Sequence, residues 1–115
     1  MLILIAEDNP MIAAAIKLYL EDSEIRAMVA STAKEAIDLF TAWHYDGAVV
    51  DVNLFTSSGM DVIDFMREKC EKIHIVATTG YRVPAVIIEL EKKEVPLLLK
   101  PFEMKDLWRE LRLEH

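Results

Sequence analysis

Short, wholly apolar runs alternate along the chain with longer stretches in which apolar residues recur every three or four positions. Leu2-Ile3-Leu4-Ile5-Ala6 has no polar interruption, as expected of a strand buried on both faces. Asn9-Pro10 breaks this run and opens a helix, with proline at the first position, where the missing N–H costs nothing. Ile12, Ala15, Ile16, Tyr19 and Leu20 then fall on one helical face. Ile25, Ala27 and Val29 alternate with Arg26 and Met28, which predicts a less buried strand at a sheet edge. Thr32 and Glu35 form a capping-box pattern ahead of a helix carrying Ala33, Ala36, Ile37 and Phe40 on one side. Asp46-Gly47 is a turn, and Ala48-Val49-Val50-Asp51-Val52 is a third strand that ends in a carboxylate. After the loop Thr56-Ser57-Ser58-Gly59, Met60, Ile63, Met66 and Cys70 mark a third helix. Ile73 to Thr78 reads as a fourth strand ended by Thr79-Gly80, and Pro84 opens a helix to about Lys93. Leu97-Leu98-Leu99 is a short fifth strand stopped at Lys100-Pro101, followed by a helix presenting Met104, Leu107, Trp108 and Leu111. Strands and helices thus alternate, and the strands are mostly all-apolar. That order predicts an α/β domain with a parallel sheet covered on both faces. Trp43 and Trp108 are expected as anchors at the edge of the core.

Composition agrees with this pattern. The chain has 115 residues, 53% apolar and 29% charged, enough for one domain that buries roughly two-thirds of its unfolded surface. A net charge of −7 with no basic run argues against nucleic acid or an anionic membrane as partner, because both need a basic face. The single cysteine, Cys70, lacks metal-ligand spacing and fits a reducing compartment. The first apolar run is too short for a signal peptide or a membrane span, so a cytoplasmic location is expected. Residues 1–112 read as one domain, and 113–115 (Leu113-Glu114-His115) as a tag remnant.

The polar residues carry the chemistry. The first strand ends at Glu7-Asp8, the third at Asp51, the fourth at Thr79 and the fifth at Lys100. In a parallel sheet the carboxyl ends of all strands share one rim, where ligands of such folds bind. Each residue alone fits a plainer role: helix cap, turn residue, half-buried strand residue, solvated lysine. Falling in order at successive strand ends, they predict a shared pocket. Three adjacent carboxylates repel unless they take up protons or a cation, and hard oxygen donors with room for water suit Mg²⁺. A lysine and a hydroxyl beside such a site can hold a tetrahedral anion. A carboxylate attacking phosphorus there would form an aspartyl phosphate.

An acidic pair after the first strand, Asp51 after the third, Thr79-Gly80 after the fourth and Lys100-Pro101 after the fifth resemble the receiver domains of two-component response regulators. The resemblance covers residues 2–112. It implies a flavodoxin-like (βα)5 sandwich with a five-stranded parallel sheet of order 2-1-3-4-5. It implies phosphorylation at Asp51 by a sensor histidine kinase or a histidine phosphotransfer protein. Asp8 and Asp51 would be direct Mg²⁺ ligands, Glu7 would act through a water, and Asn53 would contribute its backbone carbonyl. Lys100 and Thr79 would meet the phosphoryl group, with the Gly80 N–H nearby, and the Lys100-Pro101 bond would be cis. Such a domain catalyses only its own phosphorylation and the slow loss of that group.

Three positions depart from the family pattern. Leu97 replaces an aromatic residue that in many members turns inward on activation. Phe55 replaces a common proline in a loop expected to be looser, where it is either an exposed contact residue or packed against the third helix. Tyr81, together with Asn53, stands where side chains tune loss of the phosphoryl group, and its bulk predicts slow self-dephosphorylation. The surplus of apolar residues at Ala85, Val86, Ile87, Ile88 and Leu90 points either to a deeper core or to a surface, formed with the fifth strand and fifth helix, for a downstream protein or a homodimer, and the surface is the favoured reading. Two other functions share the fold: an interaction module that is never phosphorylated, and a small metal-dependent phosphatase. The complete residue set argues against the first. Asn53 in place of a general base argues against the second.

Overall fold

The computed structural model describes residues 1–54 and 58–111. The expected role of Phe55 and the reading of residues 113–115 as a tag remnant fall outside the described residues. In chain order the elements are β1 (Leu2–Ala6), α1 (Pro10–Asp22), β2 (Arg26–Ala30), α2 (Ala33–Ala42), β3 (Gly47–Asp51), α3 (Gly59–Lys69), β4 (His74–Thr79), α4 (Pro84–Lys92), β5 (Leu97–Leu99) and α5 (Met104–Glu110). The strands form one parallel sheet in the order β2-β1-β3-β4-β5, the flavodoxin-like arrangement that the family resemblance implies. None of the described helices is long and apolar enough to cross a membrane.

Side chains of a strand point alternately to its two faces, and here both faces are covered. Leu4 and Ala6 of β1, Ala48 and Val50 of β3, and Ile75 and Ala77 of β4 face a core completed by Ala36 and Phe40 of α2, Val62, Ile63 and Met66 of α3, and Leu90 of α4. Ile3 and Ile5 of β1, with Val49 and Val76, face Ala13, Ile16 and Leu20 of α1 and Leu107 of α5. This double covering explains why β1 and β3 carry no polar residue before their ends.

Local signals fix where the helices begin. The Asn9 side chain accepts hydrogen bonds from the N–H groups of Met11 and Ile12, and Pro10 follows at the first helical position. Thr32 Oγ1 accepts from Glu35 N–H at 3.1 Å. Glu35 returns the interaction one residue further out, at the Ser31 N–H. The capping box is therefore present in a shifted form.

Three expectations about packing need correction. Ala15 is exposed, and Ala13 takes its place in the buried stripe of α1, because the crossing of α1 over β1 selects a face rotated toward Ala13. Trp43 is 58% exposed; it is the C-cap of α2, where an extended backbone ends the helical periodicity that set the buried face. Trp108, in contrast, packs edge-on against Tyr19 with ring centroids 6.1 Å apart. Met28 does not point to solvent but is half-buried against the α2–α3 core, where its sulfur accepts the Tyr45 hydroxyl at 3.4 Å. In α4 only Leu90 is fully buried, and Ala85 and Ile88 are exposed. The apolar surplus of this helix is surface, not deeper core.

Candidate functional site at the carboxyl rim of the sheet

The parallel sheet brings Glu7, Asp8, Asp51, Thr79 and Lys100 to one rim. Glu7 continues the ladder beyond β1, its N–H donating to Ala30 O at 3.0 Å, and is 2% exposed. Asp51 closes β3, is buried, and pairs in register with Thr78 of β4. One residue later, Thr79 ends β4. Its carbonyl accepts the Lys100 N–H at 2.8 Å, which ties the exit of β5 to the same edge. The Lys100–Pro101 peptide bond is cis. Glu7, Asp8 and Asp51 each offer an oxygen within 4.8 Å of the others. They line a cleft of about 350 Å³ together with Asn9, Ile12, Asn53, Gly80, Tyr81 and Lys100.

Lys100 lies across this acidic cluster. Its Nζ is 2.6 Å from Glu7 Oε1 and 3.0 Å from Asp51 Oδ2. Burial works to lower the pKa of this ammonium, but the hydrogen bonds and charges of Glu7 and Asp51 outweigh it and hold the pKa above the ordinary lysine value. Burial raises the pKa of Glu7. Lys100 and the Asn9 N–H oppose that rise, and the negative charge of Asp51 adds to it. One lysine against three carboxylates leaves a net negative charge. Oxygen-only donors with that charge fit a hard divalent cation, and the absence of His and Cys from the cluster disfavours softer metals. The donor set therefore fits Mg²⁺.

The remaining hydrogen bonds organise the acceptor. Asp51 Oδ1 accepts the Asn53 N–H at 2.9 Å, and Oδ2 takes Lys100. Thr79 Oγ1 does not bond Asp51. It accepts from Asn53 Nδ2 at 3.0 Å and from the Tyr81 N–H at 3.2 Å. Tyr81 itself is 70% exposed at the mouth of the cleft. Gly80, on the cleft wall, has open space where a side chain would stand.

Two participants are not anticipated from the sequence. Asn9, which caps α1, also donates its N–H to Glu7 Oε2 at 3.0 Å and so orients the buried carboxylate. Its position directly after the acidic pair is a signal that could have shown this. Gly59 begins α3 hard against the end of β3. A Cβ there would overlap the carbonyl oxygen of Asp51 and lie 2.6 Å from the Val52 Cα. Nothing local marks that approach, because Gly59 also reads as an ordinary loop glycine.

A doubly wound parallel sheet whose carboxyl rim gathers three carboxylates, a hydroxyl and a lysine has the donor set for a divalent cation beside an anion. Comparison with known proteins names the class: residues 3–112 match the response regulator receiver domain. The chain belongs to that family and has the function of a receiver domain in two-component signalling; the phosphatase and phosphorylation-independent readings are not favoured. Receiver domains bind Mg²⁺ at this acidic pocket and interact with histidine kinases or phosphotransfer proteins. Among curated relatives, the chain is similar to the autoinducer 1 sensor kinase/phosphatase LuxN of Vibrio campbellii, 27% identical over 78 residues. That match takes in 68% of this chain and 9% of the relative, so the chain spans only a small part of the length of the relatives it matches. Among solved structures, it resembles the receiver domain of the Francisella response regulator 1452, 26% identical with a TM-score of 0.86, covering 97% of this chain and 93% of that one. It shares the fold of the response regulator TrrA from Thermotoga maritima, solved in complex with Mg²⁺-BeF, at 23% identity and a TM-score of 0.84, covering 97% and 96%.

Proposed function

We propose that Asp51 is the phosphoacceptor, that Glu7, Asp8, Asp51 and the Asn53 carbonyl hold Mg²⁺, and that Thr79, Gly80 and Lys100 receive the phosphoryl group. The observation that carries this reading is the position of Lys100, within 3.0 Å of Asp51 Oδ2 and 2.6 Å of Glu7 Oε1. In transfer from a phosphohistidine, an Asp51 carboxylate oxygen attacks phosphorus. The new P–O bond forms as the P–N bond breaks, and the leaving imidazole nitrogen takes a proton from solvent. Bound Mg²⁺ supplies charge neutralisation for the phosphoryl oxygens. Lys100 is placed to meet a phosphoryl oxygen on the carboxylate it already touches. Asn53 N–H fixes the orientation of Asp51 meanwhile.

The donor is a sensor histidine kinase or a histidine phosphotransfer protein. The signal leaves through the surface of α4, β5 and α5, to a downstream protein or a second copy of the chain. Val83 and Ile88 are exposed there at 44% and 51%, which supports a contact role. Leu97 is only half-buried and packs on the core, so no inward-turning ring takes part. Tyr81 at the cleft mouth shields the acyl phosphate from water and slows its hydrolysis.

Treatment with acetyl phosphate and Mg²⁺, followed by intact mass spectrometry, should add one phosphoryl group to the wild type and none to Asp51→Asn. Equal incorporation in both proteins would place the acceptor elsewhere. The phosphorylated wild type should lose the group slowly and Tyr81→Ala several-fold faster. A half-life of seconds for the purified wild type contradicts the shielding role.

A further inference from the structure

We propose that the Asn53 carboxamide is a resting-state latch, which holds the Thr79 hydroxyl away from Asp51 and thereby sets how readily the site passes to its phosphorylated arrangement. The inference rests on the phosphoacceptor reading of Asp51. It gives the Asn53 side chain a role separate from the metal-binding role of the backbone carbonyl.

Thr79 is buried, and its hydroxyl oxygen accepts two hydrogen bonds, from Asn53 Nδ2 and from the Tyr81 N–H. A hydroxyl oxygen has two lone pairs, so both acceptor positions are in use. Asn53 touches both halves of the switch, and it alone of these contacts reaches the Thr79 hydroxyl from the Asp51 side: its main-chain N–H holds Asp51 Oδ1, and its side chain holds Thr79 Oγ1. The main chain next to Asn53 is itself anchored. Val52 N–H donates to Thr78 O at 3.0 Å, and Val52 O accepts from Gly59 N–H at 3.0 Å. Asn53 therefore cannot follow Thr79 by moving its backbone without breaking the end of the sheet.

A phosphoryl group on Asp51 adds acceptor oxygens that compete for the donors around it. Thr79 reaches them by giving up the Asn53 bond. The bond to Tyr81 behaves differently, because Tyr81 lies on the short segment from β4 into α4. When the hydroxyl swings toward Asp51, it draws that segment, and with it Val83 at the cap of α4. This path joins acceptor to surface without an aromatic ring at Leu97. Asn53 is exposed while the bond it makes is part-buried, so water competes at the Asn53 end and the net contribution of the bond is modest. That suits a switch, which must open when one group is added.

The test uses the full chain with ¹³C-labelled methyl groups on Thr79 and Leu97, and beryllium fluoride with Mg²⁺ as the phosphoryl mimic. Asn53→Ala keeps the main-chain N–H and carbonyl. In the unliganded protein it should move the Thr79 methyl resonance part of the way to its beryllofluoride-bound position. It should also lower the beryllium fluoride concentration for half-saturation by about three- to tenfold, the shift expected for loss of one weak hydrogen bond from the resting state. Asn53→Gln, which retains an amide donor, should return the resonance toward the wild-type position. On a Thr79→Val background, Asn53→Ala should leave the Leu97 methyl unchanged, because the bond it removes is already gone. A Thr79 methyl that stays in place in Asn53→Ala, in a protein whose wild type binds beryllium fluoride, overturns the latch and leaves the Asp51 reading intact. A wild type that does not respond to beryllium fluoride and Mg²⁺ overturns both.

Discussion

Lys100 shows how one side chain can give a cluster of like charges a workable resting form. Glu7 and Asp51 are both nearly fully buried, and a bare carboxylate pair at that depth would be strongly disfavoured. The ammonium bridges them, so the site is compact and retains negative charge suited to a cation. Tyr45 is a second buried polar group, with a different consequence. Its hydroxyl donates to Met28 Sδ, and burial raises its pKa above the ordinary tyrosine range. The folded state then keeps the proton that the unfolded chain gives up near pH 10. The resulting stabilisation is complete below that pH and is lost as pH rises through the folded-state value. Urea midpoints should therefore fall from pH 9 to pH 11 more steeply in the wild type than in Tyr45→Phe. Parallel pH profiles for the two proteins would remove Tyr45 as a cause. At this scale the identities of Glu7, Asp8, Asp51, Thr79 and Lys100 were legible, because each interrupts an apolar run that has no need of it. The bond between Asn53 and Thr79 was not. It joins residues far apart in sequence, and its geometry depends on how β3 and β4 pair.

Among the elements, α3 and β3 are the most tightly linked to function. Gly59 lets the first turn of α3 lie against the backbone of Asp51 and Val52, and the Gly59 N–H donates to Val52 O. The obstacles to a larger residue are backbone atoms that cannot rotate aside. Gly59→Ala should cost roughly 3 kcal/mol, the upper end of the overpacking range, and should slow phosphoryl incorporation by displacing Asp51. Urea unfolding together with the rate of labelling by acetyl phosphate checks both effects. A loss below about 0.5 kcal/mol, typical of an ordinary surface site, would show that α3 can shift freely. Helix starts were legible from Asn9-Pro10 and from Thr32 with Glu35, since caps are local chemistry. The face each helix buries was less so. Ala13 displaced Ala15, and Trp43 stayed outside, because the choice depends on how a helix crosses strands that are distant in sequence. The apolar surplus of α4 was visible in the sequence, but that it stays on the surface is a result of packing.

For the whole molecule, the proposed cation site at the acidic rim makes stability depend on the cation. A ligand that binds only the folded state stabilises it by about 2.7 kcal/mol when its concentration is a hundredfold above Kd. For a domain of this size that corresponds to a rise of roughly 10 °C in Tm. Saturating Mg²⁺ should produce such a rise in the wild type and a much smaller one in Asp8→Asn, whose missing charge lies in the three-carboxylate cluster. Calorimetry at matched ionic strength separates this effect from general screening of the −7 net charge; equal rises in both proteins would place the cation elsewhere. The sequence by itself determined the alternation of elements, the parallel sheet with two covered faces, and the residues that end its strands. These follow from periodicity and from the cost of burying polar groups, both of which act locally. Only the tertiary structure decided that Lys100 lies between Glu7 and Asp51, that Asn53 holds Thr79, and that Gly59 must be small. Those contacts are set within tenths of an ångström by strand register and helix docking, which no segment of the chain specifies alone.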